Sequence, residues 1–214
     1  MAKQLDYNTL REIFNRFKKA ANEPEGELEH VNVYTLVVAV ALSAQSTDAG
    51  VNKATNKLFQ IADTPEKMLD LGEQGLIEHI KTIGLFRNKA KNVIKLSKIL
   101  LEQYDGQVPN SRAALQSLPG VGRKTANVVL NMWWKHPAQA VDTHIFRVGN
   151  RTGIAPGKDV DAVERAIEDN VPADFQLHAH HWLILHGRYH CKARKPLCST
   201  CLIRDLCLFE DKGL

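Results

Sequence analysis

The stretch Leu118-Pro119-Gly120-Val121-Gly122-Arg123-Lys124 places two glycines in a turn and a lysine at the start of the helix that follows. Glycines permit positive φ values and close backbone approach, so that successive N–H groups converge on an anion beside the positive end of the helix. An amine held at the start of that helix is expected to serve as a nucleophile. The stretch therefore predicts a phosphate-binding hairpin with a nucleophile beside it.

The helix after this turn is predicted over about residues 123–134 and carries an apolar stripe suited to a core, formed by Ala126, Val129, Leu130 and Trp133. Lys124 lies roughly opposite the stripe, since two residues subtend about 200° at helical pitch. The lysine is therefore predicted to face outward. A lysine in a first helical turn is usually a solvated residue, and it is the hairpin that favours a functional interpretation.

Helical periodicity runs along most of the chain and strand signals are almost absent, so the fold is predicted to be all-α. Helix starts are predicted at Thr47 or Asp48, at Thr64-Pro65 and at Asn110-Ser111, because these residue types cap helices. The apolar run 31–42 is too short to span a bilayer and predicts a buried helix. With 44% hydrophobic residues, the chain has ample material for a core.

The net charge of +4 is unevenly distributed, since residues 81–151 carry 12 Lys/Arg and 3 Asp/Glu. Such a block is typical of a nucleic-acid-binding surface, where cations displace counterions from phosphates. It is equally typical of solvated helix faces, which Lys89, Lys91, Lys95 and Lys98 fit, and charge alone leaves both interpretations open. Residues 1–30 show no signal peptide, so a cytosolic protein without a membrane segment is expected.

All four cysteines fall within seventeen residues, at Cys191, Cys198, Cys201 and Cys207. In a chain without a secretory signal this clustering indicates a metal site rather than disulfides. The spacing leaves zinc and iron–sulfur open, because there is one Cys-x-x-Cys pair and no ferredoxin pattern. The basic loop 192–197, with Lys192, Arg194 and Lys195, lies between the first two cysteines and is placed to present cations to a phosphate backbone.

Five histidines between His178 and His190 precede the cysteines without a His-Glu-x-x-His arrangement. They are predicted to lie on the edges of a mostly buried helix rather than to bind a second metal.

Asp142 stands just before a predicted amphipathic helix, where an aspartate is typical of an N-cap. Local evidence favours this interpretation. A carboxylate near Lys124 would also accept protons and stabilise developing positive charge, and one side chain is able to serve both roles. His144, Arg147 and Arg151 share a helical face that suits phosphate contact or solvation equally well.

Four features occur together in this chain: the hairpin with Lys124, the segment Val141-Asp142-Thr143-His144, the Cys-x6-Cys-x2-Cys-x5-Cys pattern, and Leu42-Ser43-Ala44-Gln45 before a capped helix. Over about residues 30–211 the chain closely resembles the bacterial endonuclease III family, the helix-hairpin-helix DNA glycosylase/lyases that remove oxidised pyrimidines. The motifs differ in chemistry and occur in the family's order, which makes the resemblance specific.

The resemblance implies a [4Fe-4S] cluster held by the four cysteines, and two all-helical domains that flank a DNA-binding cleft. One is a six-helix barrel of about residues 25–136 with the helix-hairpin-helix at about 111–134, and the other is a cluster domain of 1–24 plus 137–214. It also implies a monomer that works in the cytoplasm, at the nucleoid, on double-stranded DNA containing oxidised pyrimidines or abasic sites. The DNA would be bent sharply and the damaged nucleotide flipped out.

The resemblance further implies that Lys124 is the nucleophile, and that a Schiff base then leads to β-elimination and strand cleavage 3′ to the abasic site. Asp142 would assist this chemistry. Gln45 would fill the vacated space in the duplex, and Leu85 would be a wedge beside the opposite base; their ordinary interpretations are a solvated loop and core packing. The remaining DNA contacts would come from the hairpin and the basic surface, namely Gly120, Val121, Gly122, Arg123, His144, Arg147, Lys192, Arg194 and Lys195.

Two alternatives remain open from the sequence. The first is the family's adenine-mismatch branch, a monofunctional glycosylase that lacks lysine at the nucleophile position and usually carries a further C-terminal domain. The second is a non-catalytic helical DNA-binding module with a structural zinc ion. Lys124, and an end seven residues after Cys207, oppose the first alternative.

Overall fold

The chain divides into two compact units in the computed structural model, which describes residues 3–212. One unit is Gly26–Trp134, and the other joins the two ends of the chain, Met1–Glu25 and Lys135–Leu214. Throughout residues 3–212 the regular structure is helical, with no strand, which confirms the predicted all-α class. None of the helices within this range has the length and apolar character needed to cross a membrane.

The unit of Gly26–Trp134 is built from six α-helices, four of which begin at a side chain that caps the first turn. Thr47, Thr64 and Ser111 each accept a hydrogen bond from the amide three residues ahead, as their residue types predicted, and Asn32 does the same for the first of these helices. The helices are α2 (Val33–Ser43), α3 (Asp48–Ile61), α4 (Pro65–Ile80), α5 (Phe86–Tyr104), α6 (Arg112–Gln116) and α7 (Arg123–Trp134).

Helix α2 lies at the centre of this unit and contacts α3, α5 and α7. Its residues 34–42 are all buried, so the buried helix predicted from the run 31–42 is confirmed, although Val31 precedes the helix and is 65% exposed. The Tyr34 hydroxyl and Ser97 Oγ are 2.6 Å apart and satisfy each other's polar atoms in the core. Helix α7, which carries Lys124, is therefore anchored on the most buried helix of its unit.

The second unit joins both ends of the chain around an aromatic core. It contains α1 (Tyr7–Ala20), α8 (Thr143–Thr152), α9 (Val160–Asn170) and α10 (Gln176–Tyr189), with 3₁₀ turns at Ala173–Phe175 and Cys198–Thr200. Phe14 of α1 stacks on Phe175 with ring centroids 5.8 Å apart, and Trp182 Nε1 donates to the carbonyl of Ala21. The first helix is thereby held to the segment that leads into the cysteines.

Three histidines of α10 are buried, which corrects the prediction that the histidines lie on the edges of this helix. His180, His181 and His186 are 4%, 6% and 4% exposed. Helical periodicity did not reveal this, because α10 is covered by α8, α9 and the core around α1 on more than its apolar face. Burial lowers the pKa of His181 to about 4, so that near neutral pH the ring carries no charge in its poorly solvated position.

Candidate functional site

The hairpin between α6 and α7 has the backbone form that its glycines predicted at one of the two positions. Gly120 has φ +80°, in the left-handed region, and a Cβ at this residue would lie 3.1 Å from Asn92 Cβ. Gly122 does not have a positive φ, and a Cβ there would meet no atom within 4 Å. The expectation of positive φ is therefore confirmed for Gly120 and wrong for Gly122.

Two hairpin amides take no part in the internal hydrogen bonds of the turn. Val121 N donates to Leu118 O at 3.1 Å, and Gly122 O accepts from Ala126 N at 2.9 Å. Within residues 3–212, the amides of Gly120 and Gly122 donate no hydrogen bond. Together with the first turn of α7 these amides form a surface suited to an anion.

Lys124 is the second residue of α7, and its side chain is exposed, as the helical stripe predicted. Ala126, Val129 and Leu130 on the opposite face are buried. Trp133, the fourth residue of the apolar stripe, is 40% exposed, and its ring centroid lies 6.1 Å from that of His30. The first three residues of the stripe therefore lie in the core, and the last lies at its edge.

Asp142 is the N-cap of α8, as its position predicted. Its Oδ1 accepts hydrogen bonds from the amides of His144 and Ile145, at 2.8 and 2.9 Å. These two bonds fix the orientation of a half-buried carboxylate at the positive end of a helix. Lys124 belongs to the unit of Gly26–Trp134, and Asp142 to the unit formed by the chain ends.

Gln45 and Leu85 lie in exposed loops of the same unit and share an unusual backbone conformation. Their φ values are 55° and 58°, in a region that non-glycine residues rarely adopt without a structural cause. Leu85 is 60% exposed, which excludes its interpretation as a core residue. A large apolar side chain held outward in a left-handed backbone is a candidate for contact with a partner molecule.

The four cysteines line one pocket, whose walls also include Leu197, Ile203 and Phe209. Burial raises the pKa of the Cys201 thiol and of the Cys207 thiol, so the thiolates need a compensating cation. Phe209 N donates to Cys207 Sγ at 3.4 Å, a contact typical of cluster ligands.

The donor set of this cavity fits an iron–sulfur cluster. In the described range 3–212, no three Cys, His, Asp or Glu side chains converge as closely as a single metal ion requires. A four-iron cluster does not have this requirement, because each cysteine binds a different iron. Four thiols in an apolar pocket, with an N–H group directed at one sulfur, meet its needs.

Arg147 and Arg151 hold the protein together around the cysteines, a role that the sequence did not indicate. Arg147 Nε donates to Cys191 O at 3.0 Å, and one of its Nη atoms donates to Gly187 O at 2.8 Å. Arg151 donates to the carbonyls of Lys192 and Ala193 and lies 3.7 Å from Cys191 Sγ. Solvation alone is therefore the wrong interpretation of the helical face that carries Arg147 and Arg151, because both guanidinium groups bind backbone carbonyls. The sequence did not indicate these bonds, because the carbonyls lie about 40 residues farther along the chain.

The basic loop is displayed outward. Lys192, Arg194 and Lys195 are exposed, while the loop backbone is tied down by Arg151 and by the donation of Leu197 N to His190 O. Its cations are thus free to point to solvent from a fixed backbone.

Lys89 is a residue whose placement sequence reasoning missed. Lys91, Lys95 and Lys98 are exposed, as expected of a solvated helix face, whereas Lys89 is 7% exposed and its ammonium donates to Ser46 Oγ at 2.9 Å. The one signal in the sequence is that Lys89 lies four residues after Leu85, in the first turn of α5, where a side chain is able to reach a neighbouring loop.

Comparison with known proteins identifies the family. The family model described as HhH-GPD superfamily base excision DNA repair protein matches residues 38–173, and the iron-sulfur binding domain of endonuclease III matches residues 191–207, from the first cysteine to the last. The chain is 56% identical over 201 residues to endonuclease III of Escherichia coli strain K12, covering 94% of this chain and 95% of that protein. It has the same identity, over the same shares, to endonuclease III of Haemophilus influenzae strain Rd.

The fold is also similar to that of a trapped covalent endonuclease III–DNA intermediate, the estranged-adenine complex. The TM-score is 0.89 at 42% identity, with 96% of this chain and 97% of that chain covered. These relatives favour the endonuclease III branch over the adenine-mismatch branch, and an iron–sulfur cluster over zinc. By sequence, fold and cysteine domain, the chain belongs to the endonuclease III family of base excision repair enzymes, DNA glycosylases with AP lyase activity that carry a [4Fe-4S] cluster.

Proposed function

We propose that this protein removes oxidised pyrimidines from double-stranded DNA and then cleaves the strand 3′ to the abasic site, with Lys124 as the nucleophile. The observation that carries the proposal is an exposed lysine in the first turn of α7, directly after a hairpin in which the amides of the exposed Gly120 and Gly122 donate no hydrogen bond and suit a phosphate. The related endonuclease III captured as a covalent intermediate with DNA supports a covalent mechanism.

In the proposed reaction, the lone pair of Lys124 Nζ attacks C1′ of the damaged nucleotide. The bond from C1′ to the base breaks, and its electron pair leaves with the base, which takes up a proton. The C1′–O4′ bond then breaks, O4′ takes up a proton, and a Schiff base forms between C1′ and Lys124. Loss of a proton from C2′ drives expulsion of the 3′ phosphate, and water releases the unsaturated sugar aldehyde from the lysine.

Asp142 is the proposed proton acceptor for Lys124 and stabilises positive charge on the sugar. Its Oδ1 is held by two amides, so the carboxylate is oriented before substrate arrives. An oriented carboxylate is well suited to stabilise an oxocarbenium-like sugar.

The proposed phosphate contacts are the exposed hairpin residues Gly120, Gly122 and Arg123, together with His144 and the cations of the basic loop 192–197. Two contacts expected from the sequence are less well supported, because Val121 is 5% exposed and the guanidinium of Arg147 is bonded to the carbonyls of Cys191 and Gly187. Gln45 would occupy the space left by the flipped nucleotide and Leu85 would separate the opposite base from its neighbours, which their outward, left-handed loops support. The chain would act as a monomer on nucleoid DNA in the cytoplasm.

Cys191, Cys198, Cys201 and Cys207 are the proposed ligands of the [4Fe-4S] cluster. When bound, the cluster supplies four iron–sulfur bonds that cross-link a segment with little regular structure. The protein's own part is to hold the basic loop through Arg151 and to keep the thiolates in an apolar pocket. The two units of the chain would correspond to the barrel domain and the cluster domain of the family.

Borohydride trapping tests this proposal. With a duplex that contains an oxidised pyrimidine, the wild-type protein is expected to form a covalent adduct, because borohydride reduces the Schiff base to a stable amine. Lys124→Ala is expected to abolish the adduct. Lys95→Ala, an exposed lysine on α5, serves as the matched control and should trap as well as wild type.

Undiminished trapping by Lys124→Ala would remove this residue from its role. An absence of base release by the wild-type protein from every oxidised pyrimidine tested would overturn the substrate class.

A further inference from the structure

The loops that carry Gln45 and Leu85 approach each other within one unit of the chain. A Cβ built on Gly84 would lie 3.7 Å from the carbonyl oxygen of Gln45, so the two backbones are nearly in contact. Both residues are exposed and both have left-handed backbones. Such conformations persist in non-glycine residues where the surroundings hold them.

Lys89 bonds to both loops. Its backbone amide donates to the carbonyl of Leu85 at 3.0 Å, in the first turn of α5, and its ammonium donates to Ser46 Oγ at 2.9 Å. Ser46, which follows Gln45, donates its own amide to Ser43 O at the end of α2. A single residue thus connects the start of α5 with the loop that leaves α2.

The burial of Lys89 indicates a role beyond solvation. A lysine normally extends its ammonium into water, and burying it is unfavourable unless it is bonded. Burial lowers the pKa of Lys89, the expected response of an ammonium in a poorly solvated position. The neighbouring exposed lysines of α5 show that water is within reach of this helix.

We infer that Lys89 is a positioning residue that fixes the position of the Gln45 loop relative to the Leu85 loop. The side chains of Gln45 and Leu85 then enter the duplex together. This inference rests on the proposed function, which assigns Gln45 and Leu85 to the DNA. Lys89 acts through the two loops and takes no part in the bond changes at C1′.

The test uses a duplex with an oxidised thymine opposite 2-aminopurine, whose fluorescence rises when its stacking is disrupted. Lys89→Met keeps the aliphatic stem and removes the ammonium. It is expected to slow single-turnover base release about tenfold, as the loss of one charged hydrogen bond does, and to reduce the fluorescence rise in parallel. Cleavage of a single-stranded abasic oligonucleotide, which has no opposite base, should stay within about twofold of wild type.

Three further variants sharpen the result. Ser46→Ala removes the acceptor from a half-exposed site and should give the same pattern, and the double variant should lose no more than Lys89→Met alone, because the two groups act as a pair. Lys89→Arg should restore most of the fluorescence rise. Lys95→Met, which removes one charge from the exposed face of α5, should match wild type.

Base release and fluorescence in Lys89→Met equal to those of Lys95→Met would overturn the inference. So would an equal loss on the single-stranded substrate, which would place Lys89 in the chemistry, or independent losses from Ser46→Ala and Lys89→Met. If Lys89→Met does not fold by circular dichroism, Ser46→Ala alone decides. If the wild-type protein itself releases no base, the proposed function is wrong. This result differs from a wrong assignment of Lys89, in which wild type and Lys89→Met both release the base equally well.

Discussion

At the scale of single residues, Asp142 combines two tasks in one carboxylate. It caps α8 through Oδ1, and it is the proposed acid/base partner of Lys124. Because asparagine and aspartate cap helices equally well, whereas an amide does not accept a proton in this way, the two tasks are separable by substitution.

Asp142→Asn is expected to leave the free energy of unfolding nearly unchanged and to slow base release about 100-fold, the lower range of general acid/base effects. Asp142→Ala should slow base release similarly and also cost about 1 kcal/mol of stability through loss of the cap. Anaerobic chemical denaturation and single-turnover base release measure the two effects. An unchanged rate in Asp142→Asn would reduce this residue to a cap.

His181 is expected to make the free energy of unfolding depend on pH. Its pKa is lowered by burial to about 4, and its Nδ1 has no hydrogen-bond partner among residues 3–212. The unfolded chain binds a proton at this position below about pH 6.5, whereas the folded chain does not until about pH 4. The contribution of neutral His181 is therefore complete above pH 6.5 and is lost as the pH falls towards 4.

Between pH 6.5 and pH 4, His181 is expected to lower the free energy of unfolding by about 3 kcal/mol. In His181→Leu, the free energy of unfolding should fall over this range by about that much less than in wild type. Melting temperatures of wild type and variant between pH 7 and pH 4.5 provide the measurement. Parallel curves for the two proteins would show that the proton-linked loss has another source.

At the scale of elements, the two glycines of the hairpin have different physical roles. Gly120 has a positive φ and packs against Asn92, so Gly120→Ala is expected to destabilise the fold by about 2 kcal/mol. Gly122 has neither constraint, so Gly122→Ala should change stability by less than about 0.5 kcal/mol. Gly122 is, however, one of the residues proposed to hold a phosphate, where an added methyl group would obstruct its approach.

Gly122→Ala is therefore expected to weaken binding to a duplex with an abasic-site analogue about tenfold, without a change in melting temperature. Fluorescence anisotropy measures the affinity, and circular dichroism measures the melting of both variants. Full affinity in Gly122→Ala would show that the phosphate does not approach the hairpin at this residue.

At the scale of the whole molecule, the proposed functional residues are divided between the two units. Lys124, Gln45 and Leu85 belong to Gly26–Trp134, whereas Asp142 and the cysteines belong to the unit of the chain ends. Under the proposed function, base excision depends on both units, while the proposed cluster ligands lie in only one of them. Loss of the cluster should consequently have local structural effects.

Removing the cluster by oxidation and chelation is expected to raise hydrogen exchange in residues 191–212, where regular structure is limited to one 3₁₀ turn, and to leave α2 protected. Hydrogen exchange followed by mass spectrometry makes the comparison, with loss of visible absorption as the check on removal. Equal loss of protection in α2 would show that the cluster supports the entire fold.

Features that depend on local chemistry could be predicted from the order of residues alone. Helix caps at Thr47, Thr64, Ser111 and Asp142 involve residues three positions apart or fewer, and the hairpin and the clustered cysteines are continuous in sequence. In contrast, the burial of Lys89 and His181, the exposure of Leu85, and the bonds of Arg147 and Arg151 to distant carbonyls became known from the three-dimensional structure. Periodicity shows which face of a helix is apolar, but what covers the remaining faces depends on segments far away in the chain.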